Sequence, residues 1–309
     1  MTGAPAQDAH LRRLERVSGR LRELEVDLLL VASEVNVRYL TGFTGDHGLA
    51  LIGAGGGPQA QGEEHRLLTD FRYQTQSAEQ VHASFEREIV VGNLLEAAAG
   101  PLRAGNGRLG FDDQSLTVSE HGRLRELLGP AWELLPCPGI IERLRAVKDA
   151  GELSRIRAAS ELAEEAMLAI LEDGLVGHTE RQVAIELELR MRRLGAEGPS
   201  FPSIVAAGAH GALPHAEPRG VKIPSDVLVT IDWGALHEGY CSDCTRTYAT
   251  GEGVSEQARE VYEMVRRAQE RGLEAARSGP SGRELDAVAR AVIEQAGYGE
   301  QYGHGLGHG

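Results

Sequence analysis

The chain has 309 residues, 41% of them apolar, which is more than one hydrophobic core usually serves and an ordinary apolar share for a globular protein, so two domains are expected. Its formal net charge of -14 repels a phosphate backbone and excludes nucleic acid as the expected partner. No apolar run suits a signal peptide or a bilayer span, and three cysteines (Cys137, Cys241, Cys244) are too few for a disulfide framework, so a cytoplasmic, non-membrane protein is expected.

In chain order, Leu11, Leu14, Leu21 and Leu24 share one helical face, and the run at 26–31, apolar except for Asp27, predicts a strand buried on both sides. Further strands are predicted around 49–52, 66–69, 89–91 and 109–111, separated by turn-rich stretches. One of these, GAGGGP at 53–58, is glycine-rich but does not complete a G-x-G-x-x-G pattern, so it reads as a hairpin loop rather than a nucleotide site. Residues 1–146 are therefore expected to form an α/β domain.

Pro130, Pro136 and Pro138 mark a boundary, and residues 147–309 form the second expected domain. Four helices are predicted there. They open at Asp149 with Glu152, Thr179 with Gln182, Ser255, and Ser281 with Glu284, and close at Gly174, Gly195, Gly279 and Gly297. Extended segments at 203–206, 227–232 and 240–250 lie between the second and third helices. The last two helices have no strands after them, although each needs a sheet face to bury its apolar stripe, so this α+β domain is expected to be incomplete at its C-terminal end.

Chemistry concentrates in two places. In the segment VLVTIDWGALHEGYCSDCTRTYAT at 227–250, Asp232 ends one strand and Asp243 lies in the next. If they face each other across an antiparallel pair, their Cβ atoms are about 5 Å apart, and two anions at that spacing need a cation or a shared proton between them. The same aspartates also read as turn chemistry and a solvated strand position. In the terminal run YGHGLGHG at 302–309, four glycines in seven positions exclude a helix and permit close backbone approach around His304 and His308. A flexible tail is the alternative reading. The C-x-x-C of Cys241 and Cys244 has no second pair at zinc spacing and reads as packing.

The stretches HTERQVAIELELRMRRLGAEGPSFPSIVAAG, LPHAEP, IDWGALHEGYCSDCTRTYATG and GHGLGHG closely resemble the catalytic domain of the prolidase and aminopeptidase P family, the pita-bread metallopeptidases. NVRYLTGFTG and LLTDFRY resemble that family's creatinase-like N-terminal domain. The resemblance implies an α/β creatinase-like domain followed by an α+β pita-bread domain, two divalent metal ions, and hydrolysis of small peptides with proline second. By motif, Asp232 would chelate one metal, Asp243 would bridge both, His308 would ligate the other, and His215 and His304 would line the substrate site. Oxygen-rich ligation with one imidazole suits manganese first, then cobalt or zinc. A homodimer is also implied.

The family's pattern has two glutamates and a further histidine beyond the position of His308, and this sequence has none of the three. Two aspartates offset only half the charge of two divalent ions, so residues 1–309 by themselves are expected to hold an incomplete binuclear site and to be inactive, or to belong to a longer chain. Dipeptidase action on Xaa-Pro is the leading expectation. Aminopeptidase action on longer peptides is the first alternative, and a non-catalytic binding protein on the same fold is the second.

Overall fold

The computed structural model describes residues 4–55 and 65–307. The chain forms two compact units, Met1–Asp149 and Ala150–Gly309.

The first unit is α/β. Its elements run α1 (Ala4–Glu23), β1 (Leu28–Val31), α2 (Glu34–Thr41), β2 (Gly48–Gly53), β3 (His65–Asp70), α3 (Gln74–Gln80), β4 (Phe85–Val90), α4 (Leu94–Ala99), β5 (Gly107–Phe111), α5 (Val118–Leu128), β6 (Trp132–Pro136) and α6 (Ile140–Ala146). They build one mixed sheet in the order β4-β3-β2-β1-β5-β6. The unbroken apolar run has a plain cause in this order: β1 is interior to the sheet and all four of its residues are buried. Leu29 and Val31 join a core with Leu14, Val17 and Leu21 of α1, while Leu28 and Leu30 join a second core with Leu95 of α4 and Leu124 of α5. A strand whose alternate side chains enter two separate cores cannot show polar alternation.

All the strands expected in this unit are present. The proline-rich stretch before the boundary holds more than a linker, however, because β6 pairs with β5 there and α6 follows it. Pro136 is tolerated because β6 is the outermost strand, where a missing N–H costs no ladder bond. The glycine-rich run leaves the described residues after Gly55, and the strands on either side of it, β2 and β3, are antiparallel neighbours.

The second unit is α+β. It contains α7 (Ala150–Asp173), α8 (Glu180–Arg193), β7 (Gly198–Pro199), β8 (Ile204–Ala207), β9 (Leu228–Trp233), β10 (Ala235–His237), β11 (Tyr240–Cys241), β12 (Cys244–Ala249), α9 (Glu256–Ala275) and α10 (Gly282–Gln295). Two small antiparallel sheets, β11-β10-β7 and β12-β9-β8, carry its strands. Val229, Ile231 and Trp233 of β9 point into a core formed with Ala163, Met167, Val183, Leu187 and Met191 of α7 and α8. The Trp233 indole donates to the Ala163 carbonyl at 2.9 Å, so the ring is buried with its polar edge satisfied. Alternate residues of β9, Thr230 and Asp232, therefore face away from this core.

Both complete capping boxes, Thr179 with Gln182 and Ser281 with Glu284, form as expected. Ser255 caps α9 through the Ala258 amide. Gly174, Gly195 and Gly297 take the left-handed conformation just past their helices. Gly279 does so as well, but α9 has already ended at Ala275, so that glycine belongs to the turn before α10 rather than to the helix cap. Among the described residues no helix is long and apolar enough to cross a membrane.

Candidate metal and substrate site

The segment at 240–250 is two strands rather than the single one expected. β11 pairs with β10 in one sheet, β12 pairs with β9 in the other, and the chain passes between sheets at Ser242 and Asp243. Ser242 fastens this crossing: its amide donates to the Ala235 carbonyl at 2.9 Å, its hydroxyl donates to the Ala159 carbonyl at 3.0 Å, and its carbonyl accepts from the Ser200 hydroxyl at 2.7 Å. Gly234 makes the crossing possible, since a Cβ there would collide with the Ser242 carbonyl and the Ser200 hydroxyl. Glu238 and Gly239, both with positive φ, form the tight turn between β10 and β11.

This crossing corrects the expected register of the two aspartates. Asp232 lies opposite Thr245, not Asp243. Asp243 is two residues earlier, before β12 begins, at the crossing between the two sheets. Asp243 is exposed and Asp232 half-buried. Burial pushes the Cys244 thiol up, and although Arg246 opposes this, the charges of Glu164, Asp243 and Asp232 all add to it, so both aspartates lie within electrostatic reach of one side chain. Cys244 packs partly against the core while Cys241 is exposed, so the packing reading holds for only one of the pair.

Asp232 is oriented. The Thr245 hydroxyl, directly across the strand pair, donates to Asp232 Oδ1 at 2.7 Å. Replacing Thr245 with valine keeps the β-branched shape and removes only that donor. Divalent-metal affinity measured by calorimetry is expected to fall about 10–100-fold, the range typical for loss of a bond that orients a ligand. An unchanged affinity would show that the bond orients nothing of consequence.

His215 and His304 come from distant parts of the unit, yet their rings meet edge to face with centroids 6.2 Å apart. Both are exposed. His215 sits in the long connection from β8 to β9, whose first turn lies over β9, because a Cβ on Gly211 would press on the Thr230 hydroxyl at 3.3 Å. Thr230 shares the face that carries Asp232. His304 Nδ1 donates to the Gly305 carbonyl at 3.1 Å, which orients the ring and leaves Nε2 outside that bond.

The glycine-histidine run is held rather than loose. Arg290 of α10 donates to the carbonyls of Tyr302 at 2.8 Å and His304 at 3.0 Å, and is itself held by Asp286 at 2.7 Å. Asp286 also accepts from the Leu306 amide at 2.8 Å, and Leu306 packs against the α9–α10 core of Met264, Ala268, Ala289 and Ile293. His308 lies outside the described residues. Among the described residues no group of three or more His, Cys, Asp or Glu side chains could hold a metal. Asp232 and Asp243 have the hard oxygen donors that half of a divalent-metal site requires.

Sequence reasoning missed three supports: Thr245, the Asp286–Arg290 pair and Glu180. The i, i+4 spacing of Asp286 and Arg290 was a readable helix-face signal. Glu180 offered none, since an acidic residue in a first helical turn is ordinary. It is fully buried and accepts from the amides of Ala207 and Arg219, each at 2.9 Å, from the Arg219 guanidinium at 2.8 and 2.9 Å, and from the His210 ring at 3.2 Å. Burial pushes the Glu180 carboxyl up, but Arg219, the two amides and His210 outweigh it and hold the pKa at about 2, below the ordinary 4.5.

A carboxylate whose folded-state pKa is depressed adds stability that is fully present above its unfolded pKa and is lost as pH falls toward the folded value. Glu180 should therefore contribute on the order of 3 kcal/mol above about pH 5, and this should vanish between about pH 4.5 and pH 2. The difference in urea unfolding free energy between the wild type and Glu180→Gln, followed across that window, isolates the effect from other carboxylates. A pH-independent difference would contradict it.

Comparison with known proteins identifies the class as metallopeptidase and gives the family. The family model for the Creatinase/Prolidase N-terminal domain matches residues 13–147, and that for Metallopeptidase family M24 matches residues 154–309. The chain belongs to metallopeptidase family M24. A Xaa-Pro dipeptidase of Pyrococcus furiosus is 33% identical over 96% of this chain and 81% of its own length. The solved structure of a Xaa-Pro dipeptidase from Bacillus anthracis superposes with a TM-score of 0.89 at 35% identity, covering 97% of this chain and 81% of that one. An X-Pro aminopeptidase from Thermotoga maritima superposes at 0.80 with 31% identity, covering 91% and 79%. The first unit is thus a creatinase-like domain and the second a pita-bread domain.

Proposed function

We propose that this protein is a metal-dependent Xaa-Pro dipeptidase, acting as a cytoplasmic homodimer with manganese as its preferred metal. The reading is supported by membership of family M24 together with Asp232 on the outward side of β9 and Asp243 at the crossing just before β12. In this reading Asp232 would be a ligand of one divalent ion, His308 of a second, and Asp243 of both. When bound, the ions supply a nucleophile at neutral pH and Lewis acidity toward the scissile carbonyl.

The remaining work falls to this chain's own side chains. Thr245 keeps Asp232 turned toward the ion. The bond before proline is a tertiary amide, so its nitrogen has no hydrogen and must gain a proton as the bond breaks. His215 and His304, with rings in contact and both exposed, are suited to bind the substrate and to deliver that proton. The likeness to the X-Pro aminopeptidase favours a second reading, removal of the first residue from longer peptides.

The two readings separate on one assay. With manganese present, the first expects cleavage of a dipeptide with proline second and little cleavage of a tripeptide that extends it. A preference for the tripeptide would establish the second, and equal cleavage of peptides lacking proline would overturn both.

A further inference from the structure

We propose that Glu180 is the positioning residue that holds His215 against His304. This rests on the reading that the two histidines serve the substrate site. The connection between β8 and β9 is long, and His215 lies inside it, exposed, with only Ala216 beside it buried. A connection of that length has many conformations to lose.

One carboxylate closes it at both ends. The Ala207 amide, at the end of β8, and the Arg219 amide, beyond His215, both donate to Glu180. Between them the His210 ring reaches the same carboxylate, and the Arg219 guanidinium approaches it through two nitrogens. Residues 207 and 219 are thereby bound to a single rigid point on the first turn of α8, and the segment carrying His215 is a closed arch rather than an open strand. Backbone bonds reinforce the far limb, from Arg181 to the Arg219 carbonyl at 3.0 Å and from Ile223 to the His178 carbonyl at 2.8 Å. Neither of these bonds reaches residues 208–218.

The donor count explains why the residue is a carboxylate. Five N–H contacts converge on two oxygens, which an ionised carboxylate can accept and an amide cannot, because one amide group would turn its own hydrogens toward donors. Burying an anion is costly, and the cost is offset only if every lone pair is engaged and a cation stands beside it. Arg219 supplies that cation from the arch itself, so the charge pair fixes the loop rather than the helix. Loss of the Thr179 cap, one residue away, would weaken the same helical turn and leave the arch tied.

The test uses the full chain without metal or peptide. Glu180→Ala, Arg219→Gln and Thr179→Ala are compared with the wild type by hydrogen exchange of peptides within 208–218 and by the nuclear Overhauser contact between the His215 and His304 rings. The expected result is exchange about tenfold faster in the first two variants with loss of the ring contact, while α8 amides from Val183 onward keep their protection. Thr179→Ala should show neither change despite lower thermal stability. Unchanged loop exchange in Arg219→Gln, whose partly exposed side chain makes it tolerable if Glu180→Ala does not fold, would overturn the proposal, as would equal loosening by Thr179→Ala. Peptide hydrolysis by the wild type enters neither readout, so failure of the peptidase reading and failure of the arch are told apart.

Discussion

Replacing Asp243 with asparagine is expected to weaken divalent-metal binding more than about a hundredfold, beyond what loss of an orienting second partner causes. The side chain is exposed and sits where the chain passes between the two small sheets, a crossing that Ser242 fastens through three hydrogen bonds, so an amide of the same size should fit without refolding. What changes is charge. Two divalent ions would bring four positive charges, and Asp232 and Asp243 are the two anions proposed to answer them, so removing one would leave the ions less neutralised. Metal titration by calorimetry with far-ultraviolet circular dichroism on the same samples checks this. Retained affinity in a folded variant would remove Asp243 from the metal site.

The second large effect is on turnover. His215→Ala is expected to lower kcat by about two to four orders of magnitude, the range for a general acid or base, while metal content stays at the wild-type level. The split follows from placement: His215 meets His304, in a loop separate from the strand pair that carries the aspartates. A variant that keeps its metal and its rate would take His215 out of the mechanism, and one that loses its metal would make it a ligand instead. Kinetics with a dipeptide and metal analysis of the same preparation decide among these.

Much of the frame was legible because its signals are local. The capping boxes at Thr179 and Ser281 are written within four residues, and the run before Val31 is apolar because both faces of β1 are covered. β6 was missed because its flanking prolines resemble punctuation, and only its place as the outermost strand, a property of the whole sheet, makes them acceptable. The division of the segment at 240–250 was equally invisible, since it depends on Gly234 admitting the Ser242 carbonyl from another part of the chain.

For the site, residue types singled out the aspartates as candidates, but their pairing was misjudged by two positions for that same reason. The ring contact between His215 and His304 could be read only from family likeness, because no periodicity links residues so far apart. Glu180 illustrates the limit best: in sequence it is one more acidic residue at a helix start, and its five donors come from three separate places in a later loop.

The tight turn at Glu238 and Gly239 gives the unit an internal order of assembly. Asp232 and Asp243 are brought close in the chain by a meander that closes on itself, whereas the imidazole pair exists only when a loop before β9 and the segment after α10 are both in place. Exposed segments with few buried apolar contacts open at lower free energy than packed strands. Mild denaturant should therefore part the two imidazoles before it unfolds the strand pair beside the aspartates, giving a range in which turnover is lost while the β9–β12 ladder still stands.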